Sequence, residues 1–112
     1  MKKCKITVLK KELYEDLIAE YINYPDWGPC PVLDVGDVFY TSGMFGNEMP
    51  EGFCHNAWTA IEKHCMILAA DGKVFGIDDC HIVCCPDGVR PVIFKIEKFD
   101  DGIPVPFGPM TK

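Results

Sequence analysis

Between Pro50 and Gly72, the apolar residues Cys54, Trp58, Ile61, Cys65 and Leu68 follow one another at intervals of 4, 3, 4 and 3. That spacing gathers them into one seam on a single side of an α-helix. A seam carrying a tryptophan has to be buried against a second layer of structure, so this stretch constrains the fold more than any other. Pro50 suits the first position of the helix, and Asp71-Gly72 supplies its C-terminal stop.

The rest of the chain offers strands for that second layer. Residues 4–10 alternate Cys4, Ile6 and Val8 against Lys5, Thr7 and Leu9, and residues 91–98 set Val92, Phe94 and Ile96 against Ile93, Lys95 and Glu97, the period of a strand with one face inward. Shorter strands are expected through Val38 and Tyr40 and over 81–85, the latter joined to 91–98 by the compact turn Pro86-Asp87-Gly88-Val89-Arg90. Leu13, Leu17 and Tyr21 fall at helical spacing and predict an N-terminal helix of two to three turns. The loop "NYPDWGPCP" holds three prolines and a glycine, which excludes a regular element, while Tyr24 and Trp27 are costly to leave in water and call for order there. The expectation is an α+β domain over residues 1–99, with a small antiparallel sheet of about four strands packed against one long helix and one shorter N-terminal helix. Residues 100–112, with three prolines and two glycines among the last thirteen positions, read as an extended tail that cannot form a central strand or a helix.

At 112 residues such a domain buries roughly two-thirds of the surface its unfolded chain exposes and needs no staple. Seventeen acidic against eleven basic side chains give a net charge of −6, a field that repels phosphate backbones and anionic lipids, so nucleic acid and membranes are not the expected partners. The lysines of "MKKCKITVLKK" read instead as a solvated sheet edge that discourages pairing. The N-terminal stretch lacks the apolar core of a secretion signal, and no run reaches the ~20 apolar residues of a membrane span. A cytoplasmic protein is expected, with reduced thiols. Its seven cysteines are an odd number, which fits free thiols or metal ligands better than bridges.

"DDCHIVCCPDG", residues 78–88, crowds three thiols and an imidazole together, yet a straight strand keeps Cys80 about 13 Å from Cys84, and His81 equally far from Cys85. Neither pair can share an ion. Cys84 and Cys85 then read either as small buried hydrophobes on a central strand or as ligands in a site assembled from several elements. Cys30 is held rigidly between two prolines, and Cys54 stands at a helix start, where the macrodipole favours a thiolate. Those two with Cys84 or Cys85, and His55 or His81, would make a tetrahedral site for zinc or iron. Cys65, about 16 Å along the helix from Cys54, can share the seam with it but not an ion. Cys4 reads as core, and His64 as a solvated flank of the helix. A thiol enzyme would use Cys54 with His55 or His81 as base, although neighbouring helix positions point about 100° apart. Glu48, Glu51 and Asp87 are accounted for by a helix start and a turn. No CxxC, GxGxxG, P-loop or HExxH pattern is present.

The blocks "GPCPVLDVGDVF", "MPEGFCHNAW" and "VCCPDGVRPVIFKIEK", with the opening "KCKITVLK", resemble a family of short cysteine-containing proteins of unknown function found mainly in anaerobic bacteria and archaea. The resemblance spans about Cys4 to Lys98 and implies a small cytosolic protein, but no activity. Three functions follow as expectations: a binding or accessory protein with a metal site drawn from Cys30, Cys54, Cys84 and Cys85; a structural or interaction module whose cysteines pack the core; and a cysteine-dependent enzyme. Apolar loops and the tail suggest a homo-oligomer.

Overall fold

The fold is α+β, an antiparallel four-stranded sheet with two helices, in a computed structural model that describes residues 1–23, 26–43, 45–76 and 79–104. The elements are β1 (Lys2–Lys11), α1 (Glu15–Tyr21), β2 (Val38–Tyr40), α2 (His55–Ala69), β3 (Cys80–Cys84) and β4 (Val92–Asp100). The sheet order is β2-β1-β4-β3. β1 and β4 form its centre, paired from Lys2↔Asp100 to Lys11↔Val92 with a register shift between Val8 and Lys10.

Alternation along β1 and β4 produces the buried face. Cys4, Ile6, Phe94 and Ile96 are wholly inaccessible, and Val8 and Val92 nearly so. Against them α2 sets the seam read from its sequence, with Ile61, Cys65 and Leu68 inaccessible and Trp58 and Ala57 buried beside them. Each large apolar side chain so buried contributes roughly 1.5–3 kcal/mol before the entropy of ordering is subtracted. Phe53 closes the end of this core. Its ring stands edge-on to Phe39 at 5.0 Å and tilted to Phe94 at 5.4 Å.

Several expectations are corrected. Helix α2 begins at His55 rather than Pro50, because residues 50–53 form a turn in which Phe53 N–H donates to the Pro50 carbonyl, with Gly52 at φ +80°. At the other end the left-handed residue is Asp71, at φ +60°. Helix α1 is seven residues long and buries Ile18, while Leu17 and Tyr21 of the expected stripe face solvent. The lysine-rich β1 is an internal strand, not an edge. Its lysines are matched by acids instead: Lys2 with Asp71, Lys3 with Asp101 at 3.0 Å, and Lys10 with Glu12 at 3.0 Å. β2 and β3 are the edge strands, β3 paired with β4 alone among the described residues.

Of the tail, Asp100 ends β4, and Asp101 and the Ile103 carbonyl bind the Met1 ammonium. Residues 105–112 lie outside the described residues, as does Tyr24. Among the described residues no helix is long and apolar enough to cross a membrane.

Candidate functional site

The end of the molecule at the N-terminus of α2 collects three cysteines from three separate stretches of chain. The turn after β3 is built by Asp87, whose Oδ1 accepts from the backbone N–H groups of Val89 and Arg90 at 3.0 and 3.1 Å, while Oδ2 takes the Arg90 Nε at 3.0 Å. Partial burial works against the Asp87 carboxylate, but these donors outweigh it and hold the group below its ordinary range. Arg90, fixed in this way, lays its guanidinium 4.3 Å above the Trp27 ring. That cation–π contact ties the proline-rich loop to the turn and brings Cys30 near Cys85.

The result is a cavity of about 360 Å³ whose wall includes Cys30, Cys54, Asn56, Cys85, Asp87 and Arg90. Cys54 is the N-cap of α2, with φ −81° and ψ 125°, and its thiol does not cap the helix. The Cys85 sulfur accepts the Val92 N–H at 3.3 Å. Cys30, Cys54 and Cys85 are half-buried, pressed against the core on one side and open to the cavity on the other.

Cys84 does not join them. Alternation sends it to the opposite sheet face with Cys80 and Ile82, where it is exposed and donates to the Cys85 carbonyl at 3.1 Å. Partial desolvation, then the neighbouring Cys85 and Asp87, push its thiol up. The reading of Cys84 and Cys85 as buried residues of a central strand is therefore corrected as well, since an edge strand buries less. Cys4 and Cys65 are the core thiols, both wholly inaccessible, with the Cys4 thiol donating to the Cys65 carbonyl at 3.1 Å. Among the described residues no three His, Cys, Asp or Glu side chains are placed to hold a metal ion. The three sulfurs ring a space rather than a point.

Sequence reasoning missed three participants. Arg90 lines the cavity and Trp27 stacks against its guanidinium, and only the strong turn signal around Asp87 hinted at the first. His64 is half-buried, not a solvated flank, and its Nδ1 lies 3.0 Å from the Nδ1 of His81. His81 therefore lines a different cavity, with His64. His55 is exposed on the first turn of α2.

No protein-family model matches the chain, and neither a similar curated protein nor a similar solved structure was found.

Proposed function

We propose that the protein is a small binding protein whose ligand occupies the cavity between Cys30, Cys54 and Cys85. The observation that carries this reading is the convergence on one space of three thiols from a proline-locked loop, a helix N-cap and the end of an edge strand. At about 360 Å³ the space is far larger than a water, whose share of liquid volume is about 30 Å³, and falls within the range of small-molecule sites. Sulfur walls favour a soft partner, and, with Arg90 already paired to Asp87 in the same wall, the opening turn of α2 is what favours negative charge. A soft metal ion, zinc or iron, carried with small anionic ligands of its own fits both. The non-protein ligands would fill the volume that three thiolates leave.

The test is elemental analysis of protein purified without oxygen or chelator, together with thiol counts in the native and denatured states. Metal should be retained by Cys84→Ser and lost from Cys30→Ser, Cys54→Ser and Cys85→Ser. Equal metal content in all four variants, or no metal in the parent protein, overturns the reading.

A second reading, an interaction module, draws on the sheet face opposite α2. Val38, Tyr40, Ile82 and Phe99 are each more than a third exposed there, and the Tyr40 and Phe99 rings touch at 4.9 Å. A second copy covering this face would appear in size-exclusion as a dimer. A monomer at micromolar concentration counts against it.

A further inference from the structure

The two edges of the sheet are finished differently. β2 is three residues long, and so short a strand gives another chain little to pair with. β3 runs for five residues, Cys80-His81-Ile82-Val83-Cys84, with no lysine, carboxylate, proline or glycine, the residues that ordinarily blunt an exposed edge. The hydrogen-bond phase of the sheet fixes which of its backbone groups face outward. Cys85 N–H donates to the Val92 carbonyl, and the β3–β4 register sets these two residues opposite each other, so Val83 and His81 also turn their backbone groups toward β4. On the far side of β1, Thr41 N–H donating to the Cys4 carbonyl gives the same phase. The backbone groups of Cys80, Ile82 and Cys84 therefore point away from the sheet, and among the described residues no loop backbone bonds to them. The cavity of about 350 Å³ that His64 and His81 line runs along this edge. Its wall takes Cys80 and Ile82 from one face of β3 and Val83 from the other, with Val74 and Phe75 from the turn before the strand. A space that draws on both faces of one strand is a groove beside its edge. Ile82 is 59% and Phe75 98% exposed there.

We propose that β3 pairs antiparallel with β3 of a second copy, about a two-fold axis at Ile82, so that two sheets become one. The strand's own sequence selects that partner. Read in either direction it is Cys-x-Ile-x-Cys, so the two-fold register sets Ile82 opposite the partner's Ile82 and Cys80 opposite the partner's Cys84. These are the residues whose N–H and C=O groups face outward, and each such pair exchanges two hydrogen bonds, about six in all. Within the pairing no charge meets a like charge, although the chain carries a net charge of −6 that sets most of its surface against a second copy. Pro86, with no N–H, ends the pairing. The arriving strand fills the groove and covers Ile82 and Phe75. A short edge contact stays below the ~1,200 Å² total of a standard interface, so the dimer dissociates on dilution. It rests on neither the thiol cavity nor the sheet face opposite α2.

The experiment reads the register. Full chains carrying Cys30→Ser, Cys54→Ser and Cys85→Ser, so that the thiol cavity does not report, are made with either Cys80→Ser or Cys84→Ser added. They are treated with diamide, a diazene that takes two electrons and two protons from a pair of thiols and leaves a disulfide and a hydrazine. In a mixture of the two chains the register sets cysteine opposite cysteine, at the Cα separation of about 5.5 Å that a disulfide spans. In either chain alone each cysteine faces a serine, and the partner's thiol lies about 13 Å further along the strand. The mixture should therefore form disulfide-linked dimer at least about tenfold faster than either chain alone; equal rates overturn the proposal. Sedimentation equilibrium of the parent chain should show dimer at submillimolar concentration, retained in Tyr40→Lys on the far edge of the sheet and lost in Ile82→Lys. A parent that stays monomeric overturns it, and so does a dimer that survives Ile82→Lys; if that dimer is then abolished by Tyr40→Lys, the contact belongs to the sheet face instead. Far-ultraviolet circular dichroism of each variant excludes unfolding as the cause of a loss.

Discussion

An alkylating reagent distinguishes the two populations of thiol that the fold creates. Cys4 and Cys65 are wholly inaccessible, whereas Cys30, Cys54, Cys80, Cys84 and Cys85 are half-buried or exposed. For the first pair to react, the sheet and α2 must separate, because the two sulfurs lie between β1 and the middle of the helix. A domain of this length has a stability on the order of 6–17 kcal/mol. At about 1.4 kcal/mol per tenfold, opening protects these thiols by at least about 10⁴ relative to an exposed thiol. While the core is closed, the hydrogen-bonded Cys4 sulfur, and then burial, push the Cys65 thiol far up; opening removes both causes, so the opening equilibrium alone sets the rate of labelling. The assay is a timed iodoacetamide pulse in native buffer, followed by quenching, digestion and mass spectrometry of each cysteine peptide. In metal-free protein five cysteines should label within the pulse and two only near the urea midpoint. Labelling of Cys4 or Cys65 within a factor of ten of Cys84 would refute the placement of α2 on β1.

Four further outcomes follow from particular contacts. Ile61→Ala, at a fully buried seam position, should cost about 2–5 kcal/mol and lower the urea midpoint by about 1 M or more; a shift under 0.3 M, on the order of measurement error, would place Ile61 outside the core. Gly46 has φ +64°, and a Cβ there would stand 2.9 Å from Lys3 Cα and 3.2 Å from Ala69 Cβ, whereas Gly52 has φ +80° with nothing within 4 Å. Gly52→Ala should therefore cost only the conformational penalty of about 1–2 kcal/mol and Gly46→Ala clearly more, and equal urea midpoints would contradict the close approach. Arg90→Met removes both the stacking on Trp27 and the pairing with Asp87, worth about 1 kcal/mol together at this exposure; Trp27 emission should shift to the red, and an unchanged spectrum would refute the contact. Hydrogen bonding from Lys2, and then the charges of Lys2 and Lys98, hold the Asp71 carboxylate below its ordinary value. Its stabilising effect is complete above the unfolded value of about 3.9 and is lost as pH falls through the lower folded value. The melting temperature should accordingly drop on acidification below about pH 4, and by less in Asp71→Asn; identical acid limbs would count against the pairing.

The layers of this fold were legible because period alone specifies them. Cys4, Ile6 and Val8, the Val92-Phe94-Ile96 face and the Trp58 seam are each visible in a window of ten to fifteen residues, and each is buried. Strand order was not legible. Nothing local in "CHIVCC" distinguishes an edge strand from a central one, and on that difference depends whether Cys84 is core or surface. The start of α2 was misplaced for a related reason: Pro50 is compatible with a helix, but Gly52 and the burial of Phe53 against Phe39 and Phe94 favour a turn. In the candidate site, Cys30 and Cys54 could be singled out from their rigid or polarised settings, whereas Cys85 could not be told from Cys84; Cys30, Cys54 and Cys85 reach the cavity. His64 could not be singled out, because its partner lies seventeen residues further along the chain on a strand whose position is set by tertiary pairing alone.

The pairing of Lys2 with Asp100 and of Cys4 with Lys98 also governs how the chain reaches this state. The helix and the β3–β4 hairpin can form from neighbouring residues, but the central pair of the sheet closes a loop that spans nearly the whole sequence. Such closure is entropically expensive and slow. Cys4, Ile6 and Val8 therefore wait, apolar and unpaired, for the last strand to arrive. This places the rate-limiting event at the β1–β4 junction, and makes the interval before it the time at which two unfinished chains are most exposed to pairing with each other.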